Sequence, residues 1–295
     1  MFGAHLSVAG GMHHATREAR DLGMTCVQVF TKNQRQWKAP PLRDDAIATW
    51  HETLAETGIA PHAVVSHDSY LINLASPDKA TRRKSIDLFI DEVRRCDALS
   101  IPHLVAHPGA HLGTKDDPAD EAAGIARIAD ALDEVHNALP DSQTITCLET
   151  TAGQGTTIGH HHHHLGDIID AVAASDRVAV CIDTAHLFAA GHPLTSAAGA
   201  RKTLNDLEAA CGKGSIRVVH VNDSLVPHGC RKDRHAHIGH GEIPTEALAT
   251  VLRRRNLQRV PKVLETAKGD APDGRTWDAV NLEAMQTLAK PTRNT

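Results

Sequence analysis

The sequence predicts an α/β protein, and within that class a (β/α)8 barrel, from three observations. Short apolar runs alternate with longer amphipathic stretches along the 295 residues. The chain contains eight such strand-then-helix units, the number that closes a parallel barrel. Third, no G-x-G-x-x-G motif follows the first predicted strand. That motif is typical of the main competing architecture, an open doubly wound sheet.

Eight short apolar runs, rich in valine and isoleucine, are the strand candidates. They cover residues 2–6, 26–30, 62–67, 103–107, 144–149, 178–183, 216–221 and 262–265. One long helix is predicted over 76–99, with Ser76 as the N-cap and Pro77 in the first turn. The other helix-like stretches are 44–57, 118–139, 165–175, 196–211, 244–254 and 277–289. Because no linker interrupts this alternation, we expect one domain over residues 1–290 and a frayed tail at 291–295.

The composition is that of an ordinary globular protein, with 41% hydrophobic and 23% charged residues. A net charge of -5 argues against a protein that coats nucleic acid without specificity. It leaves room for a cleft made positive by bound metal ions. The chain has 22 histidines, and histidine is the commonest metal ligand.

The cysteine pattern and the N-terminus favour a cytoplasmic location. None of the six cysteines forms a C-x-x-C pair, and three lie in strand-like runs, as expected of reduced core residues. The first residues lack the basic start and apolar stretch of a signal peptide, and no run is long enough to span a membrane. We therefore expect no membrane partner.

The strand at 178–183 ends in Asp183, and His186 follows three residues later. Burying a charge is costly unless it is paired or bound to a metal. Six consecutive predicted strands end in a histidine or a carboxylate in this way, and the loop after the seventh adds two more donors. The nine donors are His67, His107, Glu149, Asp183, His186, His220, Asp233, His235 and Glu265.

Catalytic groups of a parallel barrel gather at the C-terminal ends of its strands, so these donors are expected to converge. Any one of them has a common structural explanation, such as a helix cap or a salt bridge, but six together at one end of a barrel favour a metal centre. Zinc takes three or four protein ligands. Nine donors therefore predict two or three ions that share a bridging carboxylate.

Two further histidine features are assigned elsewhere. His5 ends the first strand but has no carboxylate nearby in sequence, so we expect it to support the centre or the fold. The run HHHHH (160–164) is either an adventitious metal binder or a solvated loop, and we place it outside the active site.

An ordered series of motifs is similar to the endonuclease IV family of apurinic/apyrimidinic (AP) endonucleases. The motifs are GAHLSVAGG, FTKNQRQW, HDSYLINL, HPGAH, TAGQG, CIDTAH, HVNDS, DRHAHIGHGEI and LET, between residues 3 and 266. The resemblance implies a xylose-isomerase-like TIM barrel that holds three Zn²⁺ ions per chain. It assigns one ion to His67, His107 and Glu149. Glu149 would bridge to a second ion, which Asp183, His220 and Glu265 also bind, and His186, Asp233 and His235 would hold the third.

The same resemblance implies a DNA repair endonuclease. It would hydrolyse the phosphodiester 5′ to an abasic site in duplex DNA and leave 3′-hydroxyl and 5′-deoxyribose phosphate ends. We expect Glu149 to be the catalytic residue that orients or deprotonates the attacking water, and we expect a monomer. The departures from the family pattern are Thr150, Ala185, His240 and the pentahistidine run, none of which is one of the nine donors.

Two loops carry the predicted DNA contacts. Tyr70, the only tyrosine, and Leu71 follow His67 in HDSYLINL and are expected to wedge into the base stack. In FTKNQRQW the expected contacts are Lys32, Asn33 and Arg35, through phosphate or the abasic gap.

Two alternatives to a nuclease remain open at this point. A single-metal sugar isomerase or epimerase of the xylose-isomerase-like barrels would use Glu149, Asp183, His220 and Glu265 but has no need of the other donors. A histidine-rich metal-buffering protein would bind loosely at 160–164 and leaves the two loop motifs unexplained. The sequence also leaves manganese or iron open as the bound metal.

Overall fold

Eight parallel strands form a closed barrel in the computed structural model of the protein, which describes residues 1–291. In chain order the strands are β1 (Phe2–His5), β2 (Cys26–Val29), β3 (Val64–His67), β4 (His103–Ala106), β5 (Ile145–Glu149), β6 (Val178–Asp183), β7 (Ile216–His220), β8 (Asp223–Ser224), β9 (His235–Ala236) and β10 (Lys262–Leu264). The barrel order is β1-β10-β7-β6-β5-β4-β3-β2, all parallel, whereas β8 and β9 form a separate antiparallel pair. The predicted (β/α)8 barrel is confirmed.

Helices connect the strands and cover the outside of the barrel. They are α1 (Met12–Asp21), α2 (Asp44–Thr57), α3 (Lys79–Ala98), α4 (Pro118–Ala138), α5 (His162–Ala171), α6 (Thr184–Ala190), α7 (Ala197–Cys211), α8 (Thr245–Arg253) and α9 (Trp277–Ala289). Because helices face the outside and side chains fill the inside, both faces of the strands are dry. This explains why the strands are continuous apolar runs.

Two hydrophobic clusters divide the strand residues by parity. A small cluster contains Val65, Val105, Cys147, Ala179, Cys181 and Val218. The alternate positions, such as Val64, Leu104 and Leu148, belong to the large cluster that also includes the helix residues. Successive side chains of a strand point to opposite faces. The small cluster is therefore the barrel interior, and the large one is the layer between strands and helices.

Four details of the helix prediction differ from the structure. The N-cap of α3 is Asp78, whose side chain accepts a hydrogen bond from the Thr81 amide (2.7 Å), so the prediction of Ser76 is wrong by two residues. Helix α5 begins at His162, inside the histidine run, three residues before the predicted start. The sequence pattern did not single out α1, whose buried residues are few and small, or α6, which has only seven residues.

The remaining predictions about the whole chain have mixed outcomes. All six cysteines are free, and five of them are buried, as expected of reduced core residues. Within residues 1–291, no helix combines the length and the apolar character needed to cross a membrane. The predicted tail lies outside the described residues except for residue 291. The cytoplasmic location stays a prediction.

Candidate metal centre

The parity of the barrel strands brings the predicted donors together at one rim. Five donors lie two positions after a residue of the interior cluster, so they continue its inward-facing register. The pairs are Val65 with His67, Val105 with His107, Cys147 with Glu149, Cys181 with Asp183, and Val218 with His220. Glu265 follows the end of β10. The barrel interior thus opens into a ring of imidazoles and carboxylates.

Glu149 lies at the centre of this ring, fully buried, with four histidines around its carboxylate. Its Oε2 is 3.3 Å from His67 Nε2 and 3.2 Å from His107 Nε2. Its Oε1 is 3.2 Å from His186 Nδ1 and 3.0 Å from His220 Nδ1. A carboxylate with both oxygens engaged on opposite sides has the arrangement needed to bridge two cations.

The other donors complete two further groups beside Glu149. Glu149, Asp183, His220 and Glu265 offer ligand atoms that all lie within 4.8 Å of one another, as do those of His67, His107 and Glu149. Asp233 Oδ1 is 3.2 Å from the Nε2 atoms of both His186 and His235, and Asp183 groups with the same two histidines. All nine predicted donors therefore meet in one cluster.

Hydrogen bonds at the far ring nitrogens orient the imidazoles for metal binding. A histidine whose one nitrogen donates to an oxygen presents the lone pair of the other nitrogen to a cation. Three such bonds run from His67 Nδ1 to the Asp68 carbonyl (3.0 Å), from His186 Nδ1 to the Thr150 carbonyl (2.8 Å), and from His220 Nε2 to Gln28 Oε1 (2.8 Å). Neutral imidazoles with carboxylates are the donor set that zinc prefers, so the residues present fit that ion.

Two supporting residues were not predicted from the sequence. Gln28, fully buried, also donates from Nε2 to Glu265 Oε1 (2.7 Å). Asn222 donates to Asp183 Oδ2 (2.6 Å) and accepts from the Glu265 amide (2.8 Å). A glutamine inside the apolar run CVQVF was the available signal for the first. Nothing local distinguishes Asn222 from a loop residue.

The electrostatics of the cluster reflect the close pairing of acids and bases. Burial acts to raise the pKa of Glu149, but the imidazoles of His220 and His107 outweigh it and hold that pKa well below its usual range. Burial acts to lower the pKa of His186, but Asp183, Asp233 and Glu149 raise it well above its usual value. The pKa of His220 is raised as well, so His186 and His220 hold protons that a metal ion must displace, and metal binding is expected to release protons.

Lys32 is a correction among the predicted DNA contacts. Its side chain is only 3% exposed, and its Nζ lies 2.7 Å from Glu92 Oε1. Thr31 donates to the other oxygen of the same carboxylate (2.8 Å). A buried, paired ammonium is not available to a phosphate, so Lys32 anchors the β2–α2 loop to α3 instead.

The other four predicted contacts lie at the surface near the rim. Tyr70 is 66% exposed, and its ring centroid is 5.9 Å from that of His67. Leu71 is half-buried beside it, and Asn33 and Arg35 are exposed. The two loops are joined, because the Ser69 hydroxyl donates to the Gln34 carbonyl (2.7 Å).

Cavities open at this rim, of which two bear on the site. A cavity of about 320 Å³ is lined by donors of all three groups together with Tyr70 and Arg234. A larger cleft of about 920 Å³ lies between the β1–α1 and β2–α2 loops and is lined by His5, Asn33 and Arg35, among others. The smaller cavity contains the chemistry, and the larger one extends the surface beside it.

The remaining histidines of interest are placed as follows. His5 is 3.5 Å from Glu265 Oε1, so it supports the centre as expected, with a carboxylate from the opposite end of the chain. His240 is exposed and packs edge-on against Trp277 at 5.3 Å. The histidine run is not a solvated loop, since His160 and His164 are buried.

Comparison with known proteins agrees with this geometry. The family model described as a xylose isomerase-like TIM barrel matches residues 16–289. A protein named probable endonuclease 4 from Chloroflexus aggregans is 40% identical over 99% of this chain and 98% of its own length. The protein of that name from Geobacter sulfurreducens is also 40% identical, over 98% of this chain and 94% of its own.

Comparison with solved structures distinguishes proteins that share only the fold from those that also share the family. Endonuclease IV from Thermus thermophilus superposes with a TM-score of 0.82 at 29% identity, covering 97% of this chain and 98% of that one. A D-tagatose 3-epimerase-like protein gives 0.71 at 16% identity over 97% and 95%, which indicates a shared fold alone. The chain therefore belongs to the xylose isomerase-like TIM barrel family and, within it, to the endonuclease IV family.

Proposed function

We propose that this protein is a zinc-dependent DNA repair endonuclease that cleaves duplex DNA 5′ to an abasic site. The products would carry a 3′-hydroxyl and a 5′-deoxyribose phosphate. The observation that carries the proposal is the convergence of nine histidine and carboxylate donors around Glu149 at one rim. Membership of the endonuclease IV family supports it. All nine donors come from one chain, so we also propose that a monomer is active.

Three zinc ions fit the three donor groups that share this rim. When bound, zinc supplies a lowered pKa for water and positive charge that offsets the charge of the phosphoryl oxygens. The protein side chains hold the ions and the attacking water in place. Glu149, between two groups of donors, can hold the attacking water and accept its proton. A buried carboxylate with a low pKa stays ionised at neutral pH, which this role requires.

Recognition of the missing base is assigned to the exposed loops. Tyr70 projects into solvent beside His67 and is the large apolar side chain that can fill the gap, with Leu71 next to it. Asn33 and Arg35 lie on the joined loop and can contact phosphates from the same side. The bound metal ions would make the rim positive although the chain carries a net charge of -5.

The activity is tested with a labelled duplex that contains one tetrahydrofuran abasic analogue. We expect incision on the 5′ side of the analogue, loss of incision after chelation, and recovery with Zn²⁺. Glu149→Gln should abolish most of the activity, whereas Glu52→Gln, at an exposed position on α2, should retain it. Full activity of chelated protein with no residual metal would contradict the proposal.

The recognition step is tested separately from metal binding. Tyr70→Ala with Leu71→Ala should raise KM for the abasic duplex while the zinc content per chain stays unchanged. An unaltered rate on this substrate would remove the wedge from the proposal but leave the metal centre in place.

A sugar isomerase or epimerase remains the second candidate because Glu149, Asp183, His220 and Glu265 form a four-ligand group on their own. Such an enzyme needs one metal ion. Near three zinc ions per chain in the purified protein would favour the nuclease, and one would favour the sugar enzyme.

A further inference from the structure

A second group of metal-type donors lies away from the nine-donor rim. Within residues 1–291, Glu121, His160 and His164 bring together one carboxylate and two imidazoles whose ligand atoms lie within 4.8 Å of one another. Glu121 is in the first turn of α4, His160 lies in the β5–α5 loop two residues before α5, and His164 is in the first turn of α5. The group therefore joins the first turn of α4 to the junction between the β5–α5 loop and α5.

The spacing of these donors suits a tetrahedral ion. Glu121 Oε2 is 3.5 Å from His164 Nε2, and Glu121 Oε1 is 3.8 Å from His160 Nε2. Zinc bonds of about 2.0–2.2 Å in a tetrahedron put neighbouring ligand atoms about 3.3–3.6 Å apart. The two carboxylate–imidazole separations are therefore within a few tenths of an ångström of this range.

The imidazole nitrogens that face the carboxylate are buried and have no hydrogen-bond partner. His160 is 5% exposed and His164 is 0% exposed, and the Nε2 atoms of both are unsatisfied. His160 donates from Nδ1 to the Thr157 carbonyl (2.8 Å), which leaves a lone pair on Nε2. For His160, a lone pair that faces a carboxylate oxygen is repulsive unless a cation lies between them.

Both imidazoles are neutral, as metal ligands must be, although the tautomer of His164 would have to change. Burial lowers the pKa of His160 to about 4 and that of His164 to about 3, so both are neutral at pH 7. His164 Nδ1 accepts from the Gly159 amide at 3.2 Å. Ligation through Nε2 would require a proton on Nδ1, and this long hydrogen bond would be lost. We therefore expect a weaker site than the rim.

We propose that Glu121, His160 and His164 form an additional site for a divalent transition ion such as Zn²⁺, with water as the fourth ligand. The ion would fasten the β5–α5 loop to α4. That loop begins directly after Glu149, and at Gly153 it lies against both His160 and the Arg231 side chain. The site thus stabilises the segment between the central carboxylate and the loop that carries Asp233.

The other histidines of the run provide a matched control. His163 is exposed, and His162 stacks on His192 with ring centroids 4.0 Å apart. Neither belongs to the group. Loose binding by a histidine tract would depend on exposed members such as His163, whereas the proposed site depends on the buried pair and Glu121.

The experiment is equilibrium dialysis of the full chain against buffered free Zn²⁺, with zinc per chain measured by mass spectrometry. At saturation, His160→Gln and Glu121→Gln should each bind one zinc ion fewer per chain than wild type. His163→Gln should bind the same number as wild type. Circular dichroism checks that each variant is folded. If His160→Gln does not fold, the comparison uses Glu121→Gln, because Glu121 is partly exposed and its replacement disturbs the core less. Co²⁺ should show a ligand-field absorption component that is absent from both variants.

Equal zinc counts for wild type, His160→Gln and Glu121→Gln would overturn the proposal. An equal loss in His163→Gln would do the same, because it would mean diffuse binding along the run. The difference between variants does not depend on how many ions the rim holds, so this result is independent of the proposed nuclease activity.

Discussion

Replacement of Gln28 by leucine tests whether a side chain beneath the rim sets the metal affinity of the centre. Gln28 accepts from His220 Nε2 (2.8 Å) and donates to Glu265 Oε1 (2.7 Å), and it is fully buried. Leucine has a similar volume but neither polar atom. The change therefore removes the bond that leaves the lone pair of His220 on Nδ1, and it removes one donor from Oε1 of Glu265, which His5 also approaches.

The magnitude follows from these two contacts. Loss of a partner that orients a metal ligand lowers metal affinity by about 10–100-fold, which corresponds to about 1.4–2.7 kcal/mol. The His220 N–H would also be left buried without an acceptor, at a cost of about 1–3 kcal/mol in the free energy of unfolding. Both His220 and Glu265 belong to one donor group. The loss should fall on one ion and spare the others.

The assay is competition for Zn²⁺ between the protein and a chromophoric chelator, combined with urea denaturation of the metal-free protein. Gln143→Leu is the control, because Gln143 is exposed and its side chain donates only to the neighbouring Asp141 carbonyl. The reasoning would be refuted if the Gln28→Leu variant lost stability but still bound every zinc ion with wild-type affinity. Gln28 would then stabilise the barrel without tuning the metal.

Three further predictions concern the barrel and its loops. Burial lowers the pKa of Lys262 from 10.5 to about 8, so the unfolded chain binds the proton of this ammonium more tightly than the folded chain does. The free energy of unfolding should therefore rise with pH between about 8 and 10.5, by up to about 3 kcal/mol. Lys262→Met should remove this rise in urea titrations at several pH values; an unchanged slope would contradict it. Glu92→Gln leaves the Lys32 ammonium buried and unpaired and should lower the free energy of unfolding by about 3–5 kcal/mol, an effect that the double variant Lys32→Met/Glu92→Leu should largely reverse. Gly3→Ala should lower Tm sharply, since its Cβ would lie 1.8 Å from the Cys26 carbonyl oxygen; a wild-type Tm would show that the strands can separate there.

Much of the centre was predictable because the fold converts sequence position into spatial position. In a parallel barrel the residue that ends each strand lies at the same rim as the others. Apolar runs that end in Glu149, Asp183 or His220 are thus enough to predict a metal cluster. Strand ends were off by one or two residues, but the donors are fixed by side-chain parity and were unaffected.

Charge alone did not reveal which residues face solvent. Lys32 and Arg35 lie three residues apart in one polar loop, yet Lys32 is paired with Glu92 on α3 and Arg35 is exposed. The five consecutive histidines divide in the same way, because only two of them face Glu121. Helical geometry and a partner far along the chain decided these outcomes.

By itself, the sequence predicted the barrel, the family and the nine side chains that meet at the rim, since each depends on local hydrophobic pattern and on residues at strand ends. Only the tertiary structure decided which ring nitrogen of each histidine is free and which charges are neutralised. His220 is oriented by Gln28, 192 positions away in the chain. Protonation and pairing depend on contacts within a few ångströms in space, and such contacts between distant segments leave no local trace in the sequence.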